Sequence, residues 1–129
     1  MLGRKDYTPE ELENARATVK TQLADWRGSG AKGDLEASYF NAALVALDRR
    51  FVHRVRTFTG KDTNALSEVE LLTESLLDND GVLREIKVIR YDPDKSVLQL
   101  QIGDRIALTA DDFEVLSAAF LEEVLQRSD

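Results

Sequence analysis

The chain contains no cysteine. Disulfides, thiolate catalysis, iron–sulfur clusters and cysteine-ligated zinc are therefore excluded together, and the composition suits a reducing compartment. Histidine is almost as scarce, with His53 the only one. A histidine metal site of the common type needs two or three imidazoles, so no metal is expected. A serine nucleophile would have a single base available and no G-x-S-x-G elbow to present it. Long apolar runs are missing too. Nothing approaches the roughly 20 residues that span a bilayer, and Met1 to Tyr7 lack the apolar run of a signal peptide. Leu2 excludes myristoylation, which needs glycine there. The expectation is a cytoplasmic protein without a membrane partner. Proline occurs twice, and no linker, repeat or low-complexity tract divides the 129 residues, so residues 1–129 read as a single domain.

What is present is apolar material and acid. Hydrophobic residues make up 43% of the chain, enough for a core without metal or disulfide staples. The net charge of −7 is unevenly spread: residues 1–60 carry +2 and residues 61–129 carry −9. An acidic body repels polyanions, so no nucleic acid is expected as a partner. An anion site would have to be local, in the first half.

Three helices are predicted first. Thr8, Pro9 and Glu11 form a capping box with proline at the first helical position, Leu12, Ala15, Val19, Leu23 and Trp26 follow on one face, and Gly28 closes the helix. The second helix is predicted to run from Leu35 to Phe58, capped by Asp34. On a wheel of about 100° per residue, Leu44, Leu47, Phe51, Val55 and Phe58 lie within about 60° of Phe40. Val45 and Val52 project about 120–140° away, which gives that helix a second apolar face for another element or a second copy of the chain. Asn64 is placed to cap a third helix, Ala65 to Leu77, with Ala65, Val69, Leu72 and Leu76 inward and Asn79-Asp80-Gly81 as its stop.

The period then shortens. Ile86–Tyr91 is β-branched and aromatic, Asp92–Lys95 reads as a turn, and Val97–Ile102 alternates. Gly103-Asp104 reads as a hairpin turn before a third short strand, Arg105–Leu108. Thr109 and Asp112 cap a last helix carrying Phe113, Leu116, Phe120, Leu121 and Val124 inward. The fold class expected is α+β, in the order αααβββα, with a three-stranded antiparallel meander.

Two tempting motifs fail on context. Gly28-Ser-Gly-Ala-Lys-Gly33 matches G-x-G-x-x-G, but the loop leaves a helix instead of a strand, so it reads as a connection between two helices. Asp78-Asn-Asp80-Gly81 resembles a calcium loop, yet Leu76 and Lys87 fall where essential ligands belong. No cofactor is expected, and no catalytic residue is assigned. An enzyme working through carboxylates and arginine alone would need perturbed acids in a cleft, and no spacing among 24 Asp/Glu marks one out.

The second helix holds the densest basic run, Arg49-Arg-Phe-Val-His-Arg-Val-Arg56. Arg49, His53 and Arg56 cluster about 160–220° from the stripe, where three basic groups could hold a phosphate or carboxylate. The bland alternative is compensation of the helix dipole and of the acidic second half. Arg54 instead projects about 40° from the stripe centre, so a buried ion pair is expected, with a carboxylate of the following turn or third helix.

Arg50 through Asp62 to Leu72, and the final strand and helix, resemble a family of small uncharacterised bacterial proteins; the resemblance carries over no functional residue. The functional expectation is a non-enzymatic interaction or assembly module that self-associates as a homodimer through Val45 and Val52. The alternative is a small-anion binding protein using Arg49, His53 and Arg56.

Overall fold

The computed structural model describes residues 4, 6–31, 33–51, 54 and 56–128. Five helices build it: α1 (Pro9–Ser29), α2 (Asp34–Arg50), α3 (Arg56–Thr59), α4 (Ala65–Asp78) and α5 (Ala110–Arg127), with one 3-10 turn at Pro93–Lys95. Among the described residues there is no β-sheet, only the isolated bridges Arg4–Arg54 and Val82–Arg105. The α+β class and the αααβββα order are thereby corrected to an all-helical fold. No helix is long and apolar enough to cross a membrane among the described residues.

Three of the four local start signals act as their chemistry requires; Asp34 does not cap α2 but is its first helical residue, behind Gly33, with no side-chain cap bond. Thr8 Oγ1 accepts from the Glu11 amide at 3.1 Å while Glu11 Oε2 accepts from the Thr8 amide at 2.9 Å. Asn64 Oδ1 accepts from Leu66 N and Ser67 N at the head of α4, and Thr109 with Asp112 repeats the reciprocal box at α5. α1 ends at Ser29, one residue past Gly28. The left-handed cap is Gly30, with φ 74°, and Gly28 stays helical.

α5 packs against α1, α2 and α4, and α2 touches α1 and α4. Phe40, Phe51, Phe113 and Phe120 fill the centre with no measurable exposure beyond 1%. The apolar stripe of the second helix is buried as its spacing requires, at Phe40, Leu44, Leu47, Phe51 and Phe58, while Val55 lies outside the described residues.

The helix itself is not continuous: α2 stops at Arg50, α3 begins at Arg56, and the described residues between them, Phe51 and Arg54, are not helical. The cause is visible at the Phe51 carbonyl. In an unbroken helix it would serve the amide four residues on. Here it accepts from the Arg54 backbone amide at 3.3 Å, the Arg54 guanidinium at 3.0 Å and the Tyr7 hydroxyl at 3.3 Å. Arg54 is thus folded inward instead of riding the edge of a straight helix.

Residues 79–109, where three strands are expected, run as irregular chain over one side of α4. Helix side chains supply the hydrogen bonds that neighbouring strands would give. Glu68 accepts from Val97 N at 2.7 Å and Leu98 N at 3.0 Å. The Asn41 amide donates to Ile106 O at 3.0 Å and accepts from Leu108 N at 3.1 Å, taking the part of a strand residue. Gln99 has φ 56°, which breaks the pleat of Val97–Ile102 and leaves Ile102 38% exposed. Gly103 donates to Leu83 O at 2.8 Å, so it does not close a hairpin between the second and third expected strands. This covering buries α4 on more than one side: Leu66, Ser67, Glu68, Leu71 and Ser75 are buried beside the expected Val69 and Leu72.

Candidate functional site

The break after α2 opens a cleft of about 270 Å³. One wall is the last turn of α2, with Asp48 and Arg49. Arg54, Arg56 and Thr59 also line it. The opposite wall is α4, with Glu70, Thr73, Glu74, Leu77 and Asp78. Glu70, Glu74 and Asp78 stand at four-residue intervals and so form a ridge, one helical turn or about 6 Å apart.

Most of these charges are already matched. Arg54 Nη2 meets Asp48 Oδ1 at 3.1 Å, with the two side chains only 5% and 12% exposed. Its Nε donates to Thr59 Oγ1 at 3.2 Å, and the guanidinium lies 5.3 Å from the centroid of the Phe120 ring. Every edge of that cation is used, as a buried guanidinium requires. The carboxylate it meets is Asp48, upstream on α2; the following turn and the third helix do not provide it. Burial pushes the Asp48 carboxyl above its ordinary value, and the Arg54 charge opposes that shift. Arg56 Nη2 donates to Glu70 Oε2, and Arg56 Nη1 donates to Gly60 O at 3.1 Å.

Arg49 is exposed at the mouth, and neither it nor Glu74 or Asp78 makes a side-chain hydrogen bond or ion pair with another described residue. Of the basic trio read from the sequence, Arg49 and Arg56 therefore share the cleft, while His53 lies outside the described residues. Val45 is half-buried on α2 and Val52 lies outside the described residues; the helix meant to carry both faces ends at Arg50.

Glu70, Thr73 and Glu74 are cleft residues that the sequence did not single out, and Thr73 is the buried one. It is 4% exposed, and its hydroxyl has no hydrogen-bond partner among the described residues. A buried hydroxyl without a partner costs about 1–3 kcal/mol. Thr73→Val is therefore expected to raise the unfolding free energy by about 1 kcal/mol in chemical denaturation; a loss of stability would show that the hydroxyl is satisfied in solution.

No protein-family model, curated protein or solved structure matches this chain. The site is defined by its own geometry.

Proposed function

We propose that this protein is a non-enzymatic binding module that holds a small charged ligand in the cleft between α2, α3 and α4. The observation that carries this reading is the gathering of charge unpaired among the described residues: Arg49 from α2 and Glu74 and Asp78 from α4 line one space of about 270 Å³. That volume lies just below the roughly 300–1,000 Å³ of sites for drug-sized molecules, and so fits a small metabolite. An anion site built on Arg49, His53 and Arg56 is narrowed by the commitment of Arg56 to Glu70 and Gly60. Among the described residues of that trio, Arg49 is then the cation free for a ligand.

A thermal-shift panel of small cations, anions and zwitterions tests the reading. A ligand at about a hundred times its dissociation constant stabilises a protein by about 2.7 kcal/mol, or roughly 10 °C in Tm for a domain of this size. Such a shift is expected for at least one ligand, weakened by Arg49→Ala or by Glu74→Gln. A flat response across the panel would remove the proposal.

A further inference from the structure

Resting on that reading of the cleft, we infer that its ligand is a basic α-amino acid of the lysine, ornithine or arginine type. Its carboxylate sits on Arg49, and its two cationic groups sit on Glu74 and Asp78.

The charge inventory leads to this class. With Asp48 matched to Arg54 and Glu70 to Arg56, the described residues of the walls retain one guanidinium and two carboxylates. The complementary small molecule carries two positive groups and one negative group. A phosphate or dicarboxylate would satisfy Arg49 and meet repulsion from the α4 ridge; a diamine would satisfy the ridge and leave Arg49 idle. Both α2 and α4 also turn their C-terminal ends to the cleft, where the helix dipole favours cations.

Spacing and wall chemistry agree. Glu74 and Asp78 are one turn apart, about 6 Å along α4, a distance that a short methylene chain bridges between two cationic ends. To one side of that ridge, in the same cleft lining, stands Leu77, 51% exposed, an apolar surface on which such a chain can lie while its charged ends reach polar groups. Thr73, buried and lining the same wall, supplies the second and independent sign of a ligand, a hydroxyl with no partner among the described residues. A helical threonine has two accessible χ1 rotamers, so this hydroxyl can turn to accept from an ammonium group. Room for about a single amino acid is what the cleft offers.

Calorimetry with L-lysine, L-arginine, cadaverine, L-glutamate and inorganic phosphate tests the inference on the full chain. Lysine or arginine is expected to bind about fivefold or more tightly than cadaverine or glutamate, one partly exposed charge pair being lost in each comparison. Glu74→Gln and Asp78→Asn, both at exposed positions, should each weaken the basic amino acid about fivefold, while Arg49→Ala should bring lysine down to the level of cadaverine and leave cadaverine itself unchanged. Thr73→Val should lower the affinity while the free protein melts higher, a combination that simple damage to the fold would not produce. Lysine and arginine binding no tighter than cadaverine, or indifferent to both ridge substitutions, overturns the inference. Phosphate or glutamate binding that Arg49→Ala abolishes, with basic amino acids silent, overturns the ligand class and leaves the cleft as a binding site. Silence from every ligand removes both.

Discussion

Replacing Glu68 by alanine should lower the unfolding free energy by about 4 kcal/mol, because two buried amide donors lose their acceptor at about 1–3 kcal/mol each. Glu68 is 2% exposed on α4, and its two oxygens hold the amides of Val97 and Leu98. Those bonds pin the middle of the irregular segment 79–109 to the helix, so their loss should also free Tyr91 and the Pro93–Lys95 turn to exchange amide protons faster. Urea denaturation gives the free energy, and hydrogen exchange locates the loosened region. Glu68→Gln, with the same shape but one acceptor oxygen, should lie between wild type and alanine. A cost below about 1 kcal/mol for alanine would mean that the two amides are served by water, against the geometry described.

The same carboxylate predicts a dependence on pH with a definite sign. Burial pushes Glu68 above its ordinary value, and the two amide donors only partly offset this. The folded protein then binds a proton more readily than the unfolded chain. The contribution of Glu68 to stability is therefore greatest below the ordinary glutamate value of about 4.3 and falls as pH rises from there to the raised folded value. Relative to Glu68→Gln, the wild type should lose stability across that window as pH rises and run parallel above it. An identical profile in the two proteins would contradict the raised value.

Helix starts were legible because their chemistry is local. Thr8 with Glu11, Asn64 with its own turn, and Thr109 with Asp112 need only residues three apart. The buried stripe Phe40, Leu44, Leu47, Phe51 and Phe58 was legible for a similar reason, since periodicity reports which side chains are inward even where the backbone between them bends. Continuity was not legible. Whether the helix passes Phe51 depends on where the Arg54 guanidinium finds Asp48, Thr59 and Phe120 and on the Tyr7 hydroxyl that reaches the Phe51 carbonyl, and these residues come from separate stretches of the chain.

The strands were misread for an informative reason. Ile106 and Leu108 do alternate inward, but alternation fails over Val97–Ile102, where the adjacent Val97 and Leu98 both pack against the core and Ile102 is 38% exposed. Alternation tells which side chains are inward and not what the backbone bonds to. Asn41 and Glu68, polar residues set among the apolar positions of their helices, were the available sign that chain without a sheet docks there. Of the cleft, Arg49 and Arg56 could be grouped from the wheel and the acidic ridge of α4 could be counted. That the two line one cleft, and that Thr73 lies buried in its wall, is tertiary information.

Asp48→Ala should be comparably severe, at about 3–5 kcal/mol, since it leaves the Arg54 guanidinium buried without its counter-charge. The loss would not measure the worth of the ion pair. Replacing both partners by apolar residues of similar volume, Asp48→Leu with Arg54→Met, removes the buried charge altogether and should recover most of the stability, so the two substitutions are expected to be strongly non-additive. The double variant also tests why α2 ends where it does. With no guanidinium at position 54, the Phe51 carbonyl keeps only the Tyr7 hydroxyl and a long amide contact, and the local competition against an extended helix weakens. Far-UV circular dichroism should then report a gain in helix content in the double variant and none in Asp48→Ala. Recovery of stability without added helix would place the cause of the break in the packing of Phe51 and Phe58 around Tyr7; neither recovery nor added helix would show that Arg54 holds the segment through Thr59 and Phe120 as much as through Asp48.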